Sequence, residues 1–244
     1  MRAIGLGGAQ RPVPAEPANL PSDLSDGDRE ILRRIAGYTM TSLDRQIALI
    51  QAVRHLVKQG IAGSFVECGV WRGGSSMAVA LALAQKGDTR RDLYLYDTFE
   101  GMTPPTDVDR TADGTPATTH LDRDVNKTNY WCVAGINDVR QNMVSTGYPA
   151  ERIHLIQGPV EKTIPMNRPG EHIALLRLDT DWYESTKHEL TCLFPLLCEG
   201  GVLIIDDYGH WEGARKAVDE YLGGLTRKFY MHRIDYTGRL LVKR

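Results

Sequence analysis

The stretch that decides the fold is Ser64-Phe65-Val66-Glu67-Cys68-Gly69-Val70-Trp71-Arg72-Gly73-Gly74-Ser75. Its first five residues form a short, mostly apolar run, which is typical of a buried β-strand. The glycine that follows permits a tight turn, and the next two glycines let a ligand approach the backbone where a helix begins. Small residues predict that helix over 75–84. A strand, a glycine-rich turn and a helix in this order predict the first unit of a parallel α/β sheet.

Strands and helices alternate along most of the remaining chain. The further predicted strands are 93–96, 152–156, 173–178 and 202–205, and the helices between and after them are 136–146, 183–197 and 212–222. Right-handed crossovers place such helices on both faces of a parallel sheet. The last two β-like runs, 228–234 and 239–242, are joined by four turn residues and predict a hairpin. The sequence therefore predicts an α/β fold with a doubly wound, mostly parallel seven-stranded sheet that ends in an antiparallel hairpin.

The chain outside this alternating pattern divides into three parts. Residues 1–25 are rich in Gly, Pro and Ala, and predict a flexible leader or an arm that orders against a partner. Residues 26–60 have apolar side chains at helical spacing and predict two N-terminal helices. Residues 102–134 show no clear element, which indicates a functional lid or a disordered insertion. We expect residues 26–244 to form a single domain.

Composition excludes several classes of protein. The 244 residues are 42% hydrophobic and 25% charged, with a net charge of −2. A nucleic-acid-binding protein would carry a basic surplus. No apolar run approaches the roughly 18–20 residues that span a bilayer, and the N-terminus has no apolar signal-peptide core. The four cysteines have no paired spacing, so we expect a cytoplasmic protein with reduced cysteines.

The turn after the first strand indicates the kind of cofactor. In the dinucleotide-binding pattern G-x-G-x-x-G, the middle glycine makes room for a pyrophosphate. Counting from Gly69, Gly74 takes the third glycine position, but Trp71 takes the middle one. This tryptophan would obstruct a pyrophosphate and argues against NAD and FAD. S-adenosylmethionine carries no phosphate and needs only backbone and carboxylate contacts at such a turn.

Two acidic residues lie at the ends of the first two strands. Asp97 ends the second strand, where doubly wound folds bind the two hydroxyls of a ribose. Glu67 lies near the end of the first strand, where a carboxylate could meet the cationic amino end of the cofactor. Each has a structural alternative: Asp97 could cap a turn, and Glu67 could form a salt bridge with Arg72.

Three more aspartates end the fourth and fifth strands. Asp179 follows the fourth strand, and Asp206 and Asp207 follow the fifth. Neighbouring strands lie about 4.8 Å apart, so these carboxylates should converge and raise one another's pKa unless a cation intervenes. Oxygen ligands without a nearby Cys or His favour a hard cation such as Mg²⁺. Each aspartate alone could instead cap a helix, and Asp181 suits that alternative because Glu184 completes a capping-box-like pair.

Four short motifs together resemble the macrocin O-methyltransferase family, which methylates deoxysugar hydroxyls on antibiotics. They are residues 67–74, 96–101, 176–183 and 204–209, and the resemblance covers roughly residues 37–244. It implies the Rossmann-like fold of class I methyltransferases, S-adenosylmethionine as cofactor and a hard divalent cation. It also implies O-methylation of a sugar hydroxyl on a glycosylated natural product.

The resemblance also implies roles for individual residues. The family's metal ligands match Asp179, Asp206 and Asp207, and its proposed general base matches Asp181 beside Asp179. Its ribose-binding acid matches Asp97, and residues 38–40 resemble its N-terminal loop over the cofactor. The cofactor-binding residues expected here are Thr39, Met40, Glu67, Gly69, Trp71, Gly73, Gly74, Ser75, Asp97 and Thr98.

Residues 103–134 depart from the family's pattern in the region that would hold the acceptor. A catechol-type methyltransferase, which shares the metal and the cofactor, therefore stays an alternative. So does a non-methylating relative that uses the fold as a binding module, although the intact Asp179, Asp206 and Asp207 argue against it. Within this region His120 could be a second acid/base group, with an exposed loop histidine as the simpler interpretation. The N-terminal helices and the Pro-rich arm predict a homo-oligomer.

Overall fold

The computed structural model of the chain describes residues 20–127 and 129–244. The β-strands are β1 (Ser64–Cys68), β2 (Leu93–Asp97), β3 (Ile153–Gln157), β4 (Ile173–Leu178), β5 (Leu197–Ile205), β6 (His232–Arg233) and β7 (Arg239–Val242). The α-helices are α1 (Asp26–Ile35), α2 (Leu43–Lys58), α3 (Gly74–Gln85), α4 (Ala117–Arg123), α5 (Ile136–Val144), α6 (Val160–Met166), α7 (Tyr183–Leu193) and α8 (Glu212–Gly224). The leader predicted for residues 1–25 lies outside the described residues as far as residue 19.

A seven-stranded sheet forms the centre of the fold. Its strands lie in the order β3-β2-β1-β4-β5-β7-β6. Strands β1 to β5 run parallel, whereas β7 pairs antiparallel with both β5 and β6. The predicted fold class is confirmed: the sheet is doubly wound, mostly parallel, and ends in an antiparallel hairpin. The carboxyl ends of β1, β2, β4 and β5 therefore open on one crevice.

Alternate residues of the central strands enter two separate cores. Phe65 and Leu175 pack with apolar residues of α1, α2, α3 and α5 on one face of the sheet. Val66 and Leu176 pack with α6, α7 and α8 on the other face. All four side chains are buried. Burial on both faces explains why these strands are continuous apolar runs in the sequence rather than alternating ones.

The boundary between α7 and β5 differs from the prediction. The helix was expected over 183–197, but α7 ends at Leu193 and a 3-10 turn over Phe194–Leu196 follows. Pro195 lies in that turn and has no N–H to continue the helix. Strand β5 consequently begins at Leu197 rather than at Val202. Another difference lies at the sheet edge, where β6 has two paired residues instead of the predicted run over 228–234.

The sequence does not predict two short helices, α4 and α6. Helix α6 follows Pro159 and contains Pro165, and a proline inside a run argues against a helix. Helix α4 lies inside residues 102–134, and Ala117 of this helix packs with Trp182 and Trp211 from distant parts of the chain. The expectation that this segment has no element of its own is therefore wrong.

The structure also describes the two features on which the predicted location was based, the lack of a membrane span and the unpaired cysteines. Within the described ranges, no helix is long and apolar enough to cross a bilayer. All four cysteines are free, and Cys68 is buried in the sheet.

Candidate active site

The turn after β1 is built around Gly69. Its φ is +80°, and a Cβ atom here would lie 1.9 Å from the backbone oxygen of Asp179. Only glycine accepts both conditions, so this residue lets the ends of β1 and β4 meet. Trp71 in the same turn also has a positive φ, +47°. The turn is thus a strained, closely packed feature rather than an open glycine loop.

The carboxylate of Asp97 holds this turn from the end of β2. It accepts hydrogen bonds from the backbone N–H groups of Val70 at 2.6 Å, Trp71 at 3.1 Å and Phe99 at 2.7 Å. Burial raises the pKa of Asp97, and these backbone hydrogen bonds oppose the rise. The turn-capping alternative is therefore present in the structure. The ribose contact of Asp97 remains a prediction.

Gly74 provides space for the chain itself. A Cβ atom at this position would lie 2.5 Å from the backbone oxygen of Tyr38, which accepts a 2.9 Å hydrogen bond from the Gly74 N–H. The close approach that we expected of a ligand is made here by the N-terminal loop. That loop lies over the start of α3 and brings Thr39 and Met40 to the crevice.

A cavity of about 360 Å³ occupies the crevice. This volume is at the lower end of the range for small-molecule and cofactor sites, about 300–1,000 Å³. The predicted cofactor residues that line it are Thr39, Met40, Glu67, Gly69, Trp71, Gly74, Ser75 and Asp97. Of the other two, Gly73 is the N-cap of α3. Thr98 lines a neighbouring cavity of about 50 Å³.

Three carboxylates face one another in the same cavity. Asp179, Asp181 and Asp207 each present one oxygen, and these oxygens lie within 4.8 Å of one another. Burial raises the pKa of Asp179 to about 6 and that of Asp181 to about 7. The pKa of Asp207 is also raised, by burial and then by the charge of Asp181. Its Oδ2 is buried and has no hydrogen-bond partner among the residues that the structure describes.

Asp206 binds two arginines instead. Its Oδ1 accepts a 2.6 Å hydrogen bond from Arg177, and its Oδ2 forms an ion pair with Arg45 of α2. Arg177 is buried and also binds Asp179 at 2.7 Å. Burial raises the pKa of Asp206 to about 6, while both arginines lower it. In the structure, Asp181 thus joins Asp179 and Asp207 in the group of facing carboxylates. Asp206 lies beside this group and is ion-paired with two arginines.

The partner expected for Glu67 differs from the one observed. Its carboxylate binds Arg177 at 2.6 Å and accepts a hydrogen bond from Ser76, whereas Arg72 pairs with Asp138 at 2.9 Å. The predicted salt bridge between Glu67 and Arg72 is therefore wrong. Burial raises the pKa of Glu67 to about 7, and Arg177 opposes the rise. Glu67 also lines the cavity, so its contact with the cofactor stays a prediction.

The helix-capping alternative for Asp181 finds no support in the structure. The N-cap of α7 is Trp182, and this cap has no side-chain hydrogen bond. The first N–H of the helix, on Tyr183, donates instead to Asp109 at 2.8 Å. Asp181 has a φ of +67° and lines the cavity.

Comparison with known proteins identifies the family. The profile of the family described as macrocin-O-methyltransferase (TylF) matches residues 25–243. The chain belongs to this family. It is 34% identical, over 87% of its own length and 79% of the relative's, to the 8-demethyl-8-(2,3-dimethoxy-alpha-L-rhamnosyl)-tetracenomycin-C 4'-O-methyltransferase of Streptomyces olivaceus. It is 30% identical to the demethyldecarbamoylnovobiocin O-methyltransferase of Streptomyces niveus, over 75% of this chain and 67% of that one.

A solved structure agrees with this assignment. The O-methyltransferase NovP superposes with a TM-score of 0.72 at 29% identity, over 84% of this chain and 82% of that one. The predicted family, the class I methyltransferase fold and the assignment as an O-methyltransferase enzyme are therefore confirmed.

In this member of the macrocin O-methyltransferase family, the wall of the cavity beyond the carboxylates is aromatic. The N–H of Trp211 donates to the backbone oxygen of Asp207 at 3.0 Å, which places the wall next to the carboxylates. His120 from α4 contacts the rings of Tyr130 and Trp211, with centroids 4.8 and 5.9 Å away. Its Nε2 is buried without a hydrogen-bond partner among the described residues. His120 is thus half-buried in an aromatic cluster, so the exposed loop histidine expected as the simpler interpretation is wrong.

Proposed function

We propose that this O-methyltransferase uses S-adenosylmethionine and a hard divalent cation to methylate a sugar hydroxyl on a glycosylated natural product. The observation that carries the proposal is the carboxylate group of Asp179, Asp181 and Asp207, which faces the same cavity as the Gly69 turn. The names of both relatives describe O-methylation of natural products, one of them with a rhamnosyl group. The proposed acceptor follows from that likeness.

The residues present fit a hard cation. Every donor is a carboxylate oxygen, and the buried Oδ2 of Asp207 has no partner among the described residues. Such donors suit Mg²⁺. We propose the family set of Asp179, Asp206 and Asp207 as ligands. Asp181 is the alternative to Asp206 as the third ligand. Its oxygen lies within 4.8 Å of those of Asp179 and Asp207, whereas Asp206 binds two arginines.

The chain's own groups supply orientation and proton removal. A bound cation would lower the pKa of an acceptor hydroxyl, and S-adenosylmethionine would supply an electrophilic methyl group. Asp181, whose pKa of about 7 is near neutral, is suited to accept the hydroxyl proton. Arg177 fixes the carboxylates of Asp179 and Asp206. The Gly69 turn and the loop at Thr39 would hold the cofactor. Alignment of two reactants in one cavity can remove several kcal/mol of barrier.

The cofactor is tested by calorimetry. S-adenosylhomocysteine should bind in the micromolar range, about −8 kcal/mol, and NAD should not bind because Trp71 fills the place of a pyrophosphate. Asp97→Ala should weaken the binding of S-adenosylhomocysteine and leave the affinity for Mg²⁺ unchanged. Binding of NAD without binding of S-adenosylhomocysteine would contradict the proposal.

The acceptor class is tested by turnover. Rhamnosides and catechol should be compared with the same enzyme, S-adenosylmethionine and Mg²⁺. Methylation of the sugar supports the proposal, and methylation of catechol alone favours the catechol-type alternative.

A further inference from the structure

Helix α7 begins just after the turn that carries Asp181, and its first N–H is capped from a distant part of the chain. An aspartate readily accepts a hydrogen bond from the N–H two residues after it, so Asp181 is the local candidate to cap Tyr183. In the structure, the Tyr183 N–H donates instead to Oδ1 of Asp109, which lies 74 positions earlier, at 2.8 Å. Asp109 belongs to the segment 102–134, which packs over the carboxyl ends of the strands.

Asp109 is fixed firmly in this place. The residue is 1% exposed. Its Oδ2 accepts hydrogen bonds from the backbone N–H and the hydroxyl of Thr106 at 2.7 and 2.9 Å. Its backbone oxygen accepts another from the Ala117 N–H at 2.9 Å. Both carboxylate oxygens therefore have partners, as a buried carboxylate requires, and the side chain is held from two directions.

Helix α8 makes room for this contact at Gly213. A Cβ atom there would lie 2.0 Å from Oδ1 of Asp109 and 3.1 Å from the backbone nitrogen of Tyr183. Glycine is less favourable than alanine inside a helix, and Gly213 has no positive φ that would require it. The space taken by Asp109 is thus the reason for a glycine at this position.

The cap in α7 bears on where the carboxylate of Asp181 points. Asp181 has a φ of +67°, a conformation that aspartate tolerates in turns. Its carboxylate faces the cavity together with those of Asp179 and Asp207. A turn of this side chain onto the Tyr183 N–H would take it out of that group. Because Asp109 already accepts from this N–H, Asp181 has no helix end to satisfy.

We infer that Asp109 is a positioning residue: it caps α7 in place of Asp181 and so keeps the Asp181 carboxylate in the cavity. The inference rests on the proposed function, in which Asp181 accepts the proton of the acceptor hydroxyl. It gives the segment 102–134 a second role, since the segment then sets the position of a group that takes part in the reaction.

Two substitutions test the inference from opposite sides. Asp109→Ala removes the distant cap, and Gly213→Ala displaces it with a Cβ atom while the carboxylate remains in the chain. Each should lower kcat by about tenfold or more, because a misplacement of about 1 Å can cost about 10²-fold. The acceptor is a rhamnoside or catechol, whichever the natural protein methylates. Calorimetry should show S-adenosylhomocysteine affinity unchanged within about threefold, since the Gly69 turn is untouched.

Each substitution has a matched control. Asp113 lies in the same segment and accepts hydrogen bonds from Thr111 and Thr115, but it is exposed. Gly223 lies in the same helix as Gly213, and a Cβ atom there would meet no described atom within 4 Å. Asp113→Ala and Gly223→Ala should therefore keep kcat within about threefold of the natural value, the range of surface changes.

The comparison in an Asp181→Asn background separates positioning from general destabilisation. If Asp109 acts through Asp181, Asp109→Ala should lower kcat of the Asp181→Asn protein by no more than about threefold further, whereas independent effects multiply. Melting curves set an assay temperature at which every variant is folded. A crystal structure of Asp109→Ala should show the Asp181 carboxylate accepting the Tyr183 N–H.

Three results would overturn the inference: unchanged kcat in both Asp109→Ala and Gly213→Ala, losses that multiply with that of Asp181→Asn, or an Asp181 carboxylate that stays in the cavity without Asp109. Gly213→Ala takes the place of Asp109→Ala in every measurement if the latter does not fold. Failure of the natural protein to bind S-adenosylhomocysteine or to methylate any acceptor would count against the proposed function instead. The crystal structure still tests the position of Asp181 in that case, because it requires neither ligand.

Discussion

At the scale of residues, Arg177 shows which part of an ion-pair network can be predicted from the sequence. A guanidinium group inside the buried strand Ile173–Leu178 must be paired, since arginine is almost never buried alone. The sequence therefore indicates a carboxylate partner but cannot say which one. The structure gives Arg177 three partners, Glu67, Asp179 and Asp206, because β1, β4 and β5 are neighbours. No local pattern marks Arg45, whose partner lies 161 positions away.

The residue-scale prediction separates cation binding from proton removal. Asp206→Asn should weaken Mg²⁺ binding and abolish turnover, with partial rescue at high Mg²⁺. Asp181→Asn should lower kcat by about 10²-fold or more, the range for a lost general base, and leave Mg²⁺ affinity nearly unchanged. Calorimetry and kcat are measured on the same preparations.

The reverse result would assign the third ligand to Asp181. Loss of Mg²⁺ affinity in Asp181→Asn, with affinity retained in Asp206→Asn, would match the grouping of oxygens in the structure. Full activity of Asp181→Asn would instead make Asp179 both ligand and base.

At the scale of elements, local patterns predicted the sheet but not the parts that long-range contacts create. Strand β1 and helix α3 were predicted because apolar runs and glycines signal them in place. Helix α4 was not predicted, since its apolar residues pack in a cluster with Trp182, Trp211 and Ala214 from distant parts of the chain. The expected lid over residues 102–134 is likewise more closely attached than its composition indicates. Its first part binds α7 through Asp109, and the Glu212 N–H donates to the backbone oxygen of Arg110 at 2.7 Å.

At the scale of elements, we predict that the mobile part of the lid is the C-terminal part of residues 102–134, around Arg123 and Lys127. Arg123 is the last residue of α4 and Lys127 follows the helix, and both are exposed. The backbone of Arg110, in contrast, is bound to the first residue of α8. Trypsin should therefore cut after Arg123 or Lys127 before it cuts after Arg110. Addition of S-adenosylhomocysteine, Mg²⁺ and a glycoside should slow the first cuts, because a closed lid is less accessible. Mass spectrometry identifies the sites. Equal rates with and without ligands would indicate a passive insertion.

For the whole molecule, the predicted homo-oligomer remains a proposal with a direct measurement. The exposed Tyr230 beside the edge strand β6 offers one surface for a second copy, since edge strands and exposed aromatic groups favour association. Light scattering should give a mass that is a multiple of the 27.2 kDa chain. A single-chain mass would contradict it.

The carboxylate group also gives the whole molecule a pH-dependent stability. Asp179 and Asp181 have pKa values raised from 3.8 to about 6 and about 7. Between these limits the folded chain binds more protons than the unfolded chain, so the free energy of unfolding falls as pH rises. The stabilisation is complete below about pH 4 and is lost as the pH passes through about 7. Each unit of pKa shift corresponds to about 1.4 kcal/mol.

With a chelator present, the melting temperature should therefore fall by at least about 3 °C from pH 5 to pH 8, since 1 kcal/mol shifts it by about 2–4 °C at this size. Mg²⁺ binds deprotonated carboxylates, so it should raise the melting temperature more at pH 8 than at pH 5. Asp181→Asn removes one of the titrating groups and should flatten the dependence without Mg²⁺, whereas Asp113→Asn, which is exposed, should not. A chelated natural protein that melts at the same temperature at both pH values would show that these aspartates are charged in the folded state without a cation. Arg177 and Arg45, whose charges lower the pKa of Asp179, would then outweigh burial, and the group would need no metal for its stability.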